Sequence, residues 1–458
     1  LLFILISIMK TKTLNKNLKQ TVTGFRGDIL HFISNPSETD RVEDSYKFFK
    51  DGLLIIEDGK VKDLDFYEKL SNVYSDAKII DYSDQLIVPG LIDAHIHFPQ
   101  LEMIASYGNQ LLDWLNQYTF PTEGKYSDYE YSKSKAKIFI DEMINHGTTS
   151  AAVYATVSPN SVNALFSEAL DRNMRIISGK VMMDRNAPEY LLDTPEESYI
   201  QSKELIEKWH NKGRLLYAVT PRFAVSSTEK QLQVASKLMD EYPTVYMQTH
   251  LAENKEECEF VGELFPRSKT YLDVYESLGL VRDKSIFGHS IYLSDDNFKL
   301  LGEKGSSIAF CPTSNLFLGS GLFDLQSANK HKVKVGLGTD VGGGRSMSLL
   351  KTMQEGYSVT QLQKVFNSNY KKTNPLSAFE AFYLATLGSA KALDIEKNVG
   401  SFRIGNEADF IVLDPTKPSE LSQKGLDSSK LEELLFSLSI LGNQETIKHV
   451  YIMGKQHK

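Results

Sequence analysis

Between Ser127 and Gly342 the chain alternates strand-like and helix-like segments, and this constrains its fold more than any other feature. "SDYEYSKSKAKIFIDEMINHG" reads as a helix stopped at Gly147, and "TTSAAVYA" as a strand. The pattern repeats through "SVNALFSEALDRNM" and "RIISGKVMM", then "SYIQSKELIEKWHNKG" and "LLYAVTPRFAV". It continues with "EKQLQVASKLMDEY" and "VYMQTHLAE", "DVYESLGL" and "KSIFGHSIYL", and "DDNFKLLGEKG" and "SIAFCP", and reaches "VKVGLGTDVG". With the apolar run at "VPGLIDAHIH", about eight strand-plus-helix units argue an α/β fold whose parallel strands close into a (β/α)8 barrel of the TIM type.

Both chain ends have a different texture. "DILHFI", "GLLIIEDGKV" and "AKIIDYSDQLIVPG" are short and strand-like, with a turn at Asp58-Gly59. "GSFRIGNEADFIVLD" and "IKHVYIMGKQ" return to that texture. The expected division is an N-terminal β part over 1–88, a catalytic barrel over 89–397 and a C-terminal β part over 398–458. "PSELSQKGLDSSK" reads as an exposed connection or short helix.

Composition narrows the classes of function. A net charge of −8, with acidic and basic residues well mixed, argues against a nucleic-acid binder. The two cysteines, Cys258 and Cys311, are too few for a framework of bridges, which fits a reducing cytoplasm. The opening run "LLFILISI" is too short to span a bilayer and lacks a signal peptide's basic start and cleavage site. Residues 1–8 read as lying upstream of an initiation site at Met9, or else as a short membrane-interacting tail. Elsewhere charges interrupt every apolar run, so no membrane span is expected.

In a barrel of this kind chemistry sits at the C-terminal ends of the strands. His95 and His97 end the first strand two residues apart and so face the same way. His250 ends a middle strand, His289 the next, and Asp340 the last, while "TPRF" places Arg222 at a strand end. Any one strand histidine is more often a hydrogen-bonded core residue. Four of the ten histidines at strand ends is much harder to reach by chance. Three histidines and a carboxylate suit Zn²⁺ or Fe²⁺, with an open position for a water whose pKa falls towards about 7. Glu253, three residues after His250, is placed to shuttle a proton from that water to a leaving group. Equally, it reads as a carboxylate favoured by the helix start at "ENKEE". Gly342 to Gly344 suggest close backbone approach or mobility beside Asp340.

The ordered set "PGLIDAHIHFPQ", "THLAE", "GHS" and "GLGTD" resembles the amidohydrolase superfamily over almost the whole chain. "LLDWLNQYTFPTE", "GKVMMD", "TPRFAVSS", "THLAENKEE", "FCPTSNLFLGSGLFDL" and "GTDVGGGRSMSLLKTMQE" narrow the likeness to its guanine deaminases. That resemblance implies the barrel, with a small β-sandwich formed by both chain ends. It also implies one zinc per chain, iron being the alternative, held by His95, His97, His250 and Asp340. Asp340 would take the proton of the attacking water, and His289 would hydrogen-bond the hydroxide or the developing tetrahedral centre. Glu253 would protonate the purine ring nitrogen. Gln100 would bond the purine edge, Arg222 would donate to the carbonyl oxygen, and Phe223, Phe98, Pro99 and Trp114 would help enclose the guanine. His97, His250, Glu253 and Asp340 would also touch it, and a homodimer is implied.

Rival readings are specific. The residues themselves leave Arg222 free to pair with a carboxylate at the rim, Gln100 to cap a helix and Trp114 to be core. Binuclear relatives bridge two metals with a carboxylated lysine at the fourth strand, where "TPRF" has none and Lys180 falls one strand earlier. Mononuclear deaminases acting on cytosine, aminopurines or pterins share the metal set. The cytidine-type zinc deaminases are excluded, because H-x-E and P-C-x-x-C are absent. A barrel relative without catalysis would have lost ligands, and here all are present.

Overall fold

The structure is a computed structural model that describes residues 22–108, 111–366, 374–426 and 430–458. The opening run and Met9 lie outside the described residues.

The described residues begin with four strands: β1 (Val22–Phe32), β2 (Tyr46–Glu57), β3 (Lys60–Phe66) and β4 (Lys78–Pro89). The barrel follows directly: β5 (Leu91–His97), β6 (Thr148–Tyr154), β7 (Arg175–Gly179), a two-residue β8 (Val181–Met182), β9 (Leu216–Pro221), β10 (Tyr246–Leu251), β11 (Ser285–His289), β12 (Ser307–Phe310) and β13 (Lys334–Leu337). Setting β8 aside, these are eight strands that pair with their sequence neighbours in parallel. Past β13 the chain is stitched to the first strand: Asp340 N–H donates to His95 O at 2.8 Å and His97 N–H to Val341 O at 3.0 Å. β5, β6, β7 and β10 to β12 are buried at every residue, as expected of parallel strands covered on both faces.

The intervening helices start and stop where local chemistry directs. Helix Tyr129–Asn145 is capped by Asp128, whose side chain accepts the Tyr131 N–H at 2.7 Å. It buries Ala136, Phe139, Ile140, Met143 and Ile144 on one face. It ends before Gly147 at φ +83°, a conformation that favours glycine. Helix Pro195–Trp209 opens with a reciprocal Thr194–Glu197 capping box.

The two chain ends meet as expected. β14 (Phe410–Leu413), β15 (Ile447–Ile452) and β16 (Lys455–Gln456) join the N-terminal strands in one seven-stranded sheet of order β16-β15-β14-β4-β1-β2-β3. On a flat sheet β1 and β15, three strands apart, would stand about 14 Å from each other. The Phe25 and Tyr451 rings lie 5.0 Å apart, so the sheet folds over on itself and encloses its own core, as in a sandwich. That core includes Phe25, Ile29, Leu54, Tyr82, Phe410 and Tyr451.

Several expected strands are shorter than the sequence suggests, two of them for a visible reason. In "GSFRIGNEADFIVLD" only Phe410–Leu413 is a strand. Residues before it turn, and bond the β2–β3 hairpin through Val61 N–H to Asn406 O at 2.8 Å. "RIISGKVMM" breaks at Lys180 into β7 and β8. The 420s connection contains a short helix, Ser419–Gln423, and residues 427–429 lie outside the described ones. Under the barrel, Arg175 and Arg214 pair with Glu407 at 2.6 and 2.7 Å, and Arg214 also pairs with Asp409, locking barrel to sheet. Both cysteines are free. Among the described residues no helix is long and apolar enough to cross a membrane.

Candidate active site and metal centre

The strand-end histidines converge at one mouth of the barrel. His95 Nε2 lies 3.3 Å from His97 Nε2, which lies 3.2 Å from His250 Nε2. Asp340 Oδ1 is 3.2 Å from both His95 Nε2 and His97 Nε2. Ligand atoms about 2.05 Å from a tetrahedral zinc are separated by about 3.3 Å. The four measured separations match that edge, so these donors fit one divalent ion. His95, His250, His289 and Asp340 also place ligand atoms within 4.8 Å of one another. His97 belongs in the tighter set, because His289 Nε2 stands farther out, 3.7 Å from Asp340 Oδ2 and 3.4 Å from Glu253 Oε2.

The protonation states suit ligation. Burial holds His97 down at about 3 and His250 well below its ordinary value, so both are neutral. His250 Nδ1 is 2.7 Å from Arg222 O, a carbonyl that can only accept, so the proton sits on Nδ1 and the Nε2 lone pair faces the centre. Burial opposes the charge on Asp340, but the His95 and His97 rings, each 3.2 Å from its Oδ1, outweigh it and hold the carboxyl well below the usual range. The backbone is strained here. His289 (φ +64°) and Asp340 (φ +49°) take left-handed conformations that cost a non-glycine residue about 1–2 kcal/mol. Room is made by glycine: a Cβ on Gly288 would lie 2.7 Å from His95 Cε1, and one on Gly342 would lie 2.6 Å from Gln100 O. The glycine run therefore serves close approach at Gly342.

Glu253 stands beside the histidines, buried, with Oε1 accepting from Ser320 Oγ at 3.4 Å. Burial, with the Asp340 charge, pushes its carboxyl up to about 8, so it carries a proton at neutral pH. It lies before helix Lys255–Leu264, whose cap is Asn254, so it is not the capping carboxylate. That part is played by Glu257, which accepts the Glu253 N–H at 2.9 Å and the Tyr271 hydroxyl at 2.7 Å and fixes the loop carrying Glu253.

A cavity opens from the histidines. Gln100, Trp114, Arg222 and Phe223 line it together with His97, His250, Glu253, His289 and Asp340. Leu111, Leu115 and Leu318 also line it, as does Gly343 of the glycine run beside Asp340. Arg222 does pair with a carboxylate, but inside the cavity wall: its Nη1 lies 2.9 and 2.7 Å from the oxygens of Glu123. Trp114 anchors its own segment by donating Nε1–H to Ser106 O at 3.1 Å. Phe98 and Pro99 are buried away from the cavity wall. Phe98 opens the 3-10 helix Phe98–Met103 just past the end of β5, and its ring packs against Tyr126 at 5.0 Å and Phe139 at 5.4 Å. Lys180 does not line the cavity: it is fully buried and bonded to Asp193.

The amidohydrolase family profile matches residues 86–457, and the chain belongs to that family. The guanine deaminase of Escherichia coli (strain K12) is 48% identical over 442 residues, covering 95% of this chain and 98% of that protein. The solved E. coli guanine deaminase superposes with a TM-score of 0.89 at 45% identity, covering 96% of this chain and 99% of that one. A guanine deaminase from C. acetobutylicum, solved with guanine bound in its active site, gives a TM-score of 0.85 at 30% identity over 95% of this chain and 99% of that one.

Proposed function

We propose that this protein hydrolyses guanine to xanthine and ammonia. The observation that carries the reading is that a cavity walled by Gln100, Arg222 and Phe223 opens onto four donor atoms at metal-ligand separations and the buried carboxyl of Glu253. The metal would be zinc, one per chain, with iron as the alternative for the same donors, held by His95, His97, His250 and Asp340. Bound there, the ion supplies hydroxide at neutral pH by lowering the pKa of its water towards about 7.

The chain's residues do the rest. Gln100 and Arg222 donate to the guanine edge that carries the carbonyl oxygen, while Phe223 and Trp114 wall the ring. Asp340 holds Oδ2 free of the tight ligand set and takes the proton of the attacking water. Glu253 gives its proton to the ring nitrogen beside C2. His289, within 3.4 Å of Glu253 and 3.7 Å of Asp340, hydrogen-bonds the oxygen that becomes attached to C2. The new C2–O bond forms, the C2–N bond breaks, the amine leaves as ammonia with the proton that Asp340 took from water, and the hydroxyl proton of the adduct returns to Glu253 as the C2 carbonyl forms. The product retains a carbonyl at C2, which makes it xanthine. We further propose a homodimer in a cytoplasmic setting, with the barrel spanning 89–397 and the two β parts 1–88 and 398–458.

The test is ammonia release from purified, metal-analysed protein offered guanine, cytosine, adenine and a hydantoin in parallel. Release from guanine alone is expected. Release from another substrate would move the specificity to another mononuclear deaminase, and no release from metal-loaded protein would overturn the reading.

A further inference from the structure

Arg222 and Gln100 share a partner that no substrate contact accounts for. Glu123 is buried at the end of the segment that carries Trp114, with its side chain fully shielded from solvent. Its carboxylate accepts from Arg222 Nη1 at 2.9 and 2.7 Å and from Gln100 Nε2 at 3.1 Å. Gln100 is held from its other side as well, since its Oε1 accepts the Gly342 N–H at 3.1 Å.

These contacts fix which way the amide faces. A carboxylate can only accept and a backbone N–H can only donate, so Gln100 must place nitrogen towards Glu123 and oxygen towards Gly342. The remaining hydrogen of Gln100 Nε2 is then the group it can offer to a ligand. With Nη1 committed to Glu123, the other guanidinium hydrogens of Arg222 are the ones the cavity can use. This end of the cavity therefore offers donors only. It fits a purine whose position 6 carries an acceptor oxygen, and it opposes one carrying an amine, whose own hydrogens would find no acceptor.

We propose that Glu123 is a positioning residue that sets this selectivity, by locking Gln100 and Arg222 as donors towards a 6-oxo purine. The inference rests on the proposed guanine hydrolysis. Its test compares kcat/KM for guanine and for 2,6-diaminopurine, which keeps the 2-amine but replaces the 6-oxygen by an amine. In Glu123→Gln the shape is kept while a donor replaces one acceptor, so Arg222 and Gln100 lose part of the anchor that aims their hydrogens into the cavity. The guanine preference should then fall at least about tenfold, with bound metal unchanged. Gln100→Ala, which leaves the Glu123–Arg222 pair in place, should lose preference in the same direction and keeps the test alive if Glu123→Gln does not fold. A merely structural role would lower both substrates by one factor. An unchanged ratio in the folded variants would overturn the role of Glu123. Wild-type protein that turns over neither purine would instead overturn the proposed reaction.

Discussion

Substituting Gly288 by alanine tests the metal centre without touching a ligand. The Gly288 backbone lies outside the left-handed region, so alanine is allowed there on conformational grounds. The obstacle is His95: the new Cβ would lie 2.7 Å from its Cε1 and 2.9 Å from its Nδ1. An ordinary contact begins near 3.4 Å, so the ring must yield by about 0.7 Å. A metal ligand tolerates only about 0.2 Å before its bond length leaves the normal range. Barrel strands packed on both faces leave the ring little freedom to slide. We therefore expect Gly288→Ala to fold but to bind metal about 10- to 100-fold more weakly, the size seen when the support of a ligand is disturbed. Competition against a chelator, with metal content measured on the dialysed protein, reads this directly. Wild-type chelator resistance and full occupancy in Gly288→Ala would refute the assignment of His95 Nε2 to the metal.

Other consequences are equally concrete. Glu253→Gln should keep its metal and lose about 10²- to 10⁴-fold in kcat, because only the proton donor is removed; full activity would refute that role. Arg214→Met leaves Glu407 and Asp409 short of their shared buried partner and should destabilise the fold by about 3–5 kcal/mol in urea unfolding. His31, buried between the charges of Lys47 and Arg403, is held down at about 4 chiefly by burial. The unfolded chain binds that proton near pH 6.5 and the folded one does not, so stability is lost as pH falls from about 6.5 to 4. Between pH 7 and pH 5 His31 should account for about 2 kcal/mol of the loss. His31→Phe should lack that part, and equal pH slopes in the two proteins would contradict it.

What could be read from the sequence was what depends on local pattern. The βα alternation and the strand-end positions of His95, His97, His250, His289 and Asp340 follow from periodicity, because a parallel barrel fixes which end of each strand carries chemistry. Contacts made between distant loops could not be read. Glu123 stands within "TFPTE" without a local signal, and only the packing of that segment over the barrel brings it to Arg222 and Gln100. Glu257 reads as one more acid at a helix start until Tyr271 and the Glu253 N–H are seen on its two oxygens. The resemblance implies Phe98 in the substrate set, whereas the turn of the chain past β5 packs its ring against Tyr126 and Phe139. The parallel β1–β4 pairing skips the β2–β3 hairpin, and the β14–β4 pairing joins opposite chain ends, neither of which local propensity encodes.

The most direct test of the account is a metal titration of stripped protein, with guanine turnover read at each addition of zinc. Activity should climb linearly and stop at about one equivalent per chain, the single ion that His95, His97, His250 and Asp340 have room to hold. Full turnover before any metal is added, or a break at two equivalents, would contradict it.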